Sequence, residues 1–339
     1  MRTFFIAAIL FAASGTLLAQ ATNPAVPSDL EKAKDLLSHG QADQAIATLK
    51  KLAAIEPPIT GVEHALGSAY YGTGELAEAR IAFAKAIEQD ASDQDSVRME
   101  GFVLYRLRQP DAAIPYLERA LQTPNADADA LTVLGQCFVS AKRYDDARIT
   151  YARLFGEPPD SAGAYLLLAN ILLHIDPSQP AAIQAQKALD ISPGLPLAHF
   201  MLGEIALEKS DFDQAARQFE AERGINPGYA PTYDRLGDTY MRMEKIPEAQ
   251  MALTKAITLD ATISGTFLKM GMVLLRRQDV PTAIVYLKHA AQLDPDNFKT
   301  HLFLAQAYHR IKDEEAAKLE DAIVNQMHHD RQVHLEPGK

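Results

Sequence analysis

Residues 62–86 read VEHALGSAYYGTGELAEARIAFAKA. Two small residues in that stretch, Gly67 and Ala79, are flanked by the large Leu66, Tyr70 and Phe83. Stepping 34 residues at a time from Ala79 lands on Ala45, Ala113, Ala147, Ala181, Ala215, Ala249, Ala283 and Ala317. The same step from Gly67 lands on Ala33, Gly101, Gly135, Ala169, Gly203, Gly237, Gly271 and Ala305. Four residues after each alanine come Leu49, Phe83, Leu117, Tyr151, Ala185, Phe219, Leu253, Leu287 and Asp321. Nine units of 34 residues, starting at 26, 60, 94, 128, 162, 196, 230, 264 and 298, run to Arg331 without insertion or deletion. A fixed period of this length marks a stacked-repeat architecture.

The pattern resembles the tetratricopeptide repeat, with Leu-Gly-x-x-Tyr followed by Ala, Phe, Ala and Pro at set offsets. The second unit carries it as Leu66-Gly67, Tyr70, Ala79, Phe83 and Ala86. The seventh carries it as Tyr233, Leu236-Gly237, Tyr240, Ala249 and Ala256. The resemblance covers 306 of the 339 residues. It implies an all-α, right-handed superhelical α-solenoid of nine helix-turn-helix repeats, each built from a helix A and a helix B.

The residues give the physical sense of the spacing. Helices packed roughly 8–10 Å apart leave no room for large side chains at their crossing, so Gly67 and Ala79 mark the closest approach. Pro110, Pro180, Pro247 and Pro281 fall at the start of B helices, where a missing N–H costs nothing. Pro57, Pro159, Pro193, Pro227 and Pro295 fall just past their ends. One helix pair cannot bury its apolar faces alone, so neighbours stack into a one-dimensional array.

The N-terminus reads as an address. Arg2 precedes an uncharged run from Phe4 to Ala13, and Ala19-Gln20-Ala21 is a small-residue exit. This pattern fits a signal peptide over 1–21, cleaved after Ala21, and predicts export to a bacterial periplasm or beyond. An uncleaved N-terminal anchor is the alternative. Residues 22–28 read as a linker, and 332–339 as a disordered tail. Lys32 and Asp321 break the pattern in the first and ninth units, as capping repeats with polar faces would. The fifth unit has two prolines in its turn, Pro177 and Pro180, and Ala185 in place of a large residue. Thin packing there makes it either a local adjustment or a hinge.

Chemistry is sparse. The chain carries 33 Lys and Arg against 44 Asp and Glu, a net charge of −11, which disfavours nucleic acid or anionic membrane as a ligand. The single cysteine, Cys137, allows neither an internal disulfide nor a Cys-based zinc site. No nucleophile elbow, phosphate loop or metalloprotease motif occurs, so no cofactor, metal or catalytic residue is expected. His328, His329 and His334 cluster only in the tail.

The resemblance implies that A helices line a concave groove in which a partner protein lies. Side chains expected there are Tyr71, Phe102, Tyr105, Leu166, Phe200, Leu268, Met272 and Leu275. Arg242, Arg276 and Arg310 recur at one position and form a stripe suited to anionic groups. The same stripe sits near A-helix C-termini, where a cation complements the helix dipole. Glu204, Glu208, Asp234 and Asp238 precede it as an acidic wall, and the sign change would orient a peptide. The expected function is a non-catalytic protein-interaction scaffold in assembly of an envelope or secretion complex. A component of polysaccharide export that contacts glycan is the alternative, and the absence of Trp counts against it. An enzyme with an unrecognised site is a third.

Overall fold

The computed structural model describes residues 25–122, 127–175 and 179–335, with side chains from Ser28 to Asp330. The signal-like segment 1–21 lies outside the described residues. Among those described there are eighteen helices and no strand. The A helices are α1 (Ala25–Ser38), α3 (Val62–Thr73), α5 (Gln94–Arg106), α7 (Ala128–Ser140), α9 (Ala162–Ile175), α11 (Ala198–Glu208), α13 (Ala230–Arg242), α15 (Ser264–Arg276) and α17 (Phe298–Ile311). The B helices are α2 (Ala42–Ala53), α4 (Leu76–Gln89), α6 (Pro110–Ala120), α8 (Tyr144–Phe155), α10 (Gln179–Ile191), α12 (Phe212–Ile225), α14 (Ile246–Leu259), α16 (Val280–Leu293) and α18 (Glu314–Leu335). Two compact units divide between Cys137 and Phe138, inside α7 in the fourth repeat. The two-proline turn of the fifth repeat is not where the division falls, and its residues 176–178 lie outside the described set.

The 34-residue step is a step of packing. In both units the small A-helix residue sits under the large B-helix residue sixteen positions later. A Cβ added to Gly67 would lie 2.8 Å from the Phe83 ring, and one on Gly237 would lie 2.5 Å from Leu253. Gly101, Gly203 and Gly271 meet Leu117, Phe219 and Leu287 in the same way. The fifth repeat inverts the sizes. Ala169 and Ala185 are both fully buried, so a small-small pair replaces glycine against a large side chain. The buried cluster there is small, Ala169 and Ala185 with Met201, and both alanines are closed from solvent.

Every described A–B turn closes alike. The residue after the turn donates its N–H to a carbonyl five residues back, as in Glu75 N to Tyr70 O (2.9 Å) and Asp279 N to Leu274 O (3.0 Å). This closure needs a left-handed residue in between. Gly40 and Gly74 supply it in the first two repeats, but Arg108, Lys142, Ser210, Glu244, Gln278 and Lys312 supply it elsewhere, with φ of 58–62°. Each such side chain costs of order 1 kcal/mol that glycine would avoid. The packed array holds the conformation regardless.

Helix α1 begins at Ala25, inside the stretch read as linker, because Pro27 is tolerated in a first helical turn. Likewise α18 runs to Leu335, four residues into the stretch read as a disordered tail. Its 22 residues exceed those of any other helix here. No helix among the described residues is long and apolar enough to cross a membrane.

Two carboxylates are buried where the repeat normally places apolar or small residues. Glu100 stands where Leu66 and Leu236 stand elsewhere and is 2% exposed. Burial pushes its pKa up, and Arg80, whose Nε lies 3.4 Å from Oε1, opposes that only partly. A raised folded pKa means the folded state binds the proton more tightly than the unfolded chain does. Glu100 therefore destabilises the fold above its folded pKa, and the penalty is relieved as pH falls toward 4.5. Glu100→Gln should raise stability at pH 7 by about 1 kcal/mol, with the gain vanishing near pH 4.5. Urea unfolding of both proteins at the two pH values checks this, and a gain independent of pH would refute it.

Glu222 is fully buried. It neither reaches solvent nor makes an ion pair among the described residues. Its Oε1 accepts the N–H of Leu197 (2.8 Å), a left-handed residue with φ +73° that starts α11. The carboxylate satisfies a helix-start donor that no neighbouring side chain caps.

Candidate binding face on the A helices

The two compact units each carry part of the expected face. In the first unit, Tyr71, Phe102 and Tyr105 are all half-buried. Guanidinium groups cover two of these rings. Arg106 lies 4.7 Å from the Tyr71 centroid and Arg98 lies 5.6 Å from that of Phe102. Arg98 is held by Asp95 (3.2 Å) and by Asp127. The surface is thus aromatic beneath and cationic above, with the cations already partnered.

In the second unit the predicted apolar residues part company. Leu166 and Phe200 are half-buried at the edges of small core clusters. Phe200 packs against Phe219 at 5.6 Å and edge-on against Tyr229 at 5.4 Å. Met272 is partly buried. Leu268 and Leu275 are only 7% and 4% exposed and belong to the core between α13, α15 and α17. They cannot serve as contact residues, and the expectation for them is corrected. The reason is stacking: the following A helix covers these positions. No described A helix follows α17, and Leu302, the counterpart of Leu268, is 44% exposed. Leu302, Phe303, Gln306, His309, Arg310 and Asp321 line an open hollow at that end. His309 Nε2 meets Asp321 at 2.9 Å.

The arginine stripe has a structural duty that sequence reasoning missed. Arg276 Nη1 donates to the carbonyl of Met241 (2.9 Å) and Arg310 Nη1 to that of Leu275 (3.0 Å). In the first unit Arg106 Nη1 does the same to Tyr71 (3.2 Å). In all three the acceptor lies 35 residues back, in the last turn of the preceding A helix. Each of these carbonyls already accepts a backbone N–H from its own turn (Gly74, Glu244 and Gln278), so the guanidinium adds a second donor and sits at the negative end of a helix dipole. One of its five donors is used, and all three side chains stay exposed. Arg242 differs: it pairs with Asp238 (3.0 Å) and overlies Phe212 at 5.7 Å. The one-repeat-plus-one spacing was readable in advance, since Tyr71–Arg106, Met241–Arg276 and Leu275–Arg310 repeat it.

The acidic wall is partly spent on neighbours. Asp234 binds Lys269 (2.5 Å) and accepts from Thr266 Oγ1 (2.8 Å). Glu204 faces Arg235 at 2.9 Å, and burial raises its pKa more than Arg235 lowers it. Glu208 is exposed without a partner among the described residues. Carboxylates thus stand on α11 and α13, two of them met by Arg235 and Arg242 of α13 itself, and Arg276 and Arg310 stand on α15 and α17.

Cys137 is fully buried, and burial pushes its thiol up to about 12, so it stays protonated at neutral pH. Among the described residues no group of three or more His, Cys, Asp or Glu is placed to hold a metal ion. The side chain of His334 lies outside the described set.

Helix pairs in a 34-residue register, glycine under a large side chain and a face of mixed polarity define a helical-repeat scaffold. Sequence models of the tetratricopeptide repeat match residues 30–95, 104–171 and 230–263. The chain belongs to the tetratricopeptide repeat family, whose members serve as protein–protein interaction scaffolds. No curated protein matches it. Among solved structures it is similar to a chain in the crystal structure of the APC/C hetero-tetramer Cut9–Hcn1, at 18% identity and a TM-score of 0.45. That match covers 82% of this chain and 55% of the other, so this chain spans about half the length of that relative. It is also similar to Pseudomonas aeruginosa pilF, at 18% identity and a TM-score of 0.49, covering 61% of this chain and 97% of the other.

Proposed function

We propose that this protein is an exported bacterial scaffold. It holds a segment of a partner protein along the A-helix face during assembly of an envelope or secretion complex. The observation that carries the reading is the face of the second unit. Half-exposed Phe200, Met272 and Leu302 lie among carboxylates on α11 and α13 and guanidiniums on α15 and α17. A segment with a basic end and an acidic end, joined by apolar residues, complements that order. Export rests on the charged start, apolar run and Ala19-Gln20-Ala21 exit of the first 21 residues.

Photo-crosslinking in the native envelope tests both parts. A crosslinker at Leu302 should capture one protein, and one at Gln186, exposed on α10, should not. Equal capture at both positions, or a product found only with cytosolic proteins, would overturn the reading.

A further inference from the structure

The outer edge of the B helices carries a feature that the A-helix reading does not use. Met251 in α14, Val285 in α16 and Leu319 in α18 occupy one register position in three successive repeats. They are 67%, 64% and 65% exposed. Two turns on, Leu259 and Leu293 are 36% and 39% exposed. Large apolar side chains this open, stacked in consecutive helices, form a patch that a soluble monomer rarely leaves uncovered.

The charges beside the patch identify its occupant. On α14, Glu248 lies three residues before Met251 and Lys255 four after. Both line the furrow between α12 and α14, with Met251 at its lip. Neither makes an ion pair among the described residues. Tyr240 on the floor of that furrow is committed elsewhere, donating to Glu220 at 2.7 Å. An acid three residues before an apolar side chain and a base four after it complement the same helix run in the opposite direction, with the midpoint between Met251 and Ala252. On α16 the same operation sets Lys288 opposite Ala283 and His289 opposite Thr282, so no like charges meet.

We infer that this face pairs with a second copy of itself. A two-fold axis along the row of B helices lays each helix antiparallel on its own copy. Met251, Val285 and Leu319 each meet their counterpart, and Glu248 meets Lys255 of the partner subunit, twice over. Such an isologous contact closes on itself. Three helices at about 10 Å spacing and about 18 Å length bury roughly 1,000 Å² in total, the lower end for specific association. An interface of that size suits a reversible dimer, expected at about micromolar strength.

Light scattering on the full chain at about 100 μM should give twice the chain mass, saturated for an affinity of that order. Val285→Glu should weaken self-association at least about tenfold, with an unchanged circular dichroism melt because the site is exposed. Glu248→Lys should weaken it several-fold, and adding Lys255→Glu should restore it. Val285→Cys places a thiol on the axis and should oxidise to a covalent dimer, while Leu302→Cys on the A face should not. Cys137 is buried and does not compete. A wild-type monomer at 100 μM overturns the inference. So does a charge swap that fails to restore the dimer, or equal oxidation at both cysteine positions. None of these outcomes depends on what the A face binds.

Discussion

Phe219→Ala is expected to cost about 3–5 kcal/mol, the range for truncating a buried aromatic ring. The ring is fully buried and sits where a Cβ on Gly203 would lie 2.6 Å away. It also meets Phe200 at 5.6 Å and clusters with Ala206, Ala215, Leu236 and Ala252. Its surroundings are mostly small, and helices held by neighbours on both sides cannot collapse to fill the void. Because stability in such an array is nearly a sum of local terms, the loss should appear first in the sixth and seventh repeats. Hydrogen exchange on α11–α14 should speed up before that on α17. A loss under about 1 kcal/mol would mean that the site repacks freely.

Gly237→Ala carries the second large effect. The new methyl would fall 2.5 Å from Cγ and Cδ2 of Leu253, both on a fully buried side chain. Helix propensity favours alanine by about 1 kcal/mol, but overpacking of a rigid crossing costs about 1–3 kcal/mol and more when the contact is this short. A net loss of about 2 kcal/mol is expected. The fifth repeat supplies the control, since Ala169 over Ala185 is a buried pair the fold accepts. Gly237→Ala with Leu253→Ala should therefore be less destabilised than the sum of the two single changes by about 1 kcal/mol or more. Strict additivity would show that the two residues do not share the space the structure gives them.

The helix pairs were legible because they rest on contacts inside one repeat. Gly67 with Phe83, or Gly237 with Leu253, needs only the sixteen-residue offset that the sequence displays. The face was legible only in part, because exposure there depends on the neighbouring repeat. Leu268 and Leu302 are the same letter at the same position, yet one is core and the other half-open. The partner of Glu222 was hidden for another reason: it is a backbone N–H in a left-handed turn 25 residues earlier, and no side-chain pattern announces it. The left-handed residues of the A–B turns were disguised as well, since only two of those described are glycine.

Where the arginine clasp occurs, a repeat takes a second donor for the end of its first helix from the repeat that follows. For α13 that added donor comes from α15, and for α15 it comes from α17. A piece cut on a 34-residue boundary after such a repeat keeps every atom of its last A helix and its own turn bonds, and lacks that added donor. Copying a whole repeat in place has the opposite result, because the inserted unit brings one acceptor and one donor in phase. Such an array can lengthen or shorten by whole units without any new bond having to be invented at the seam.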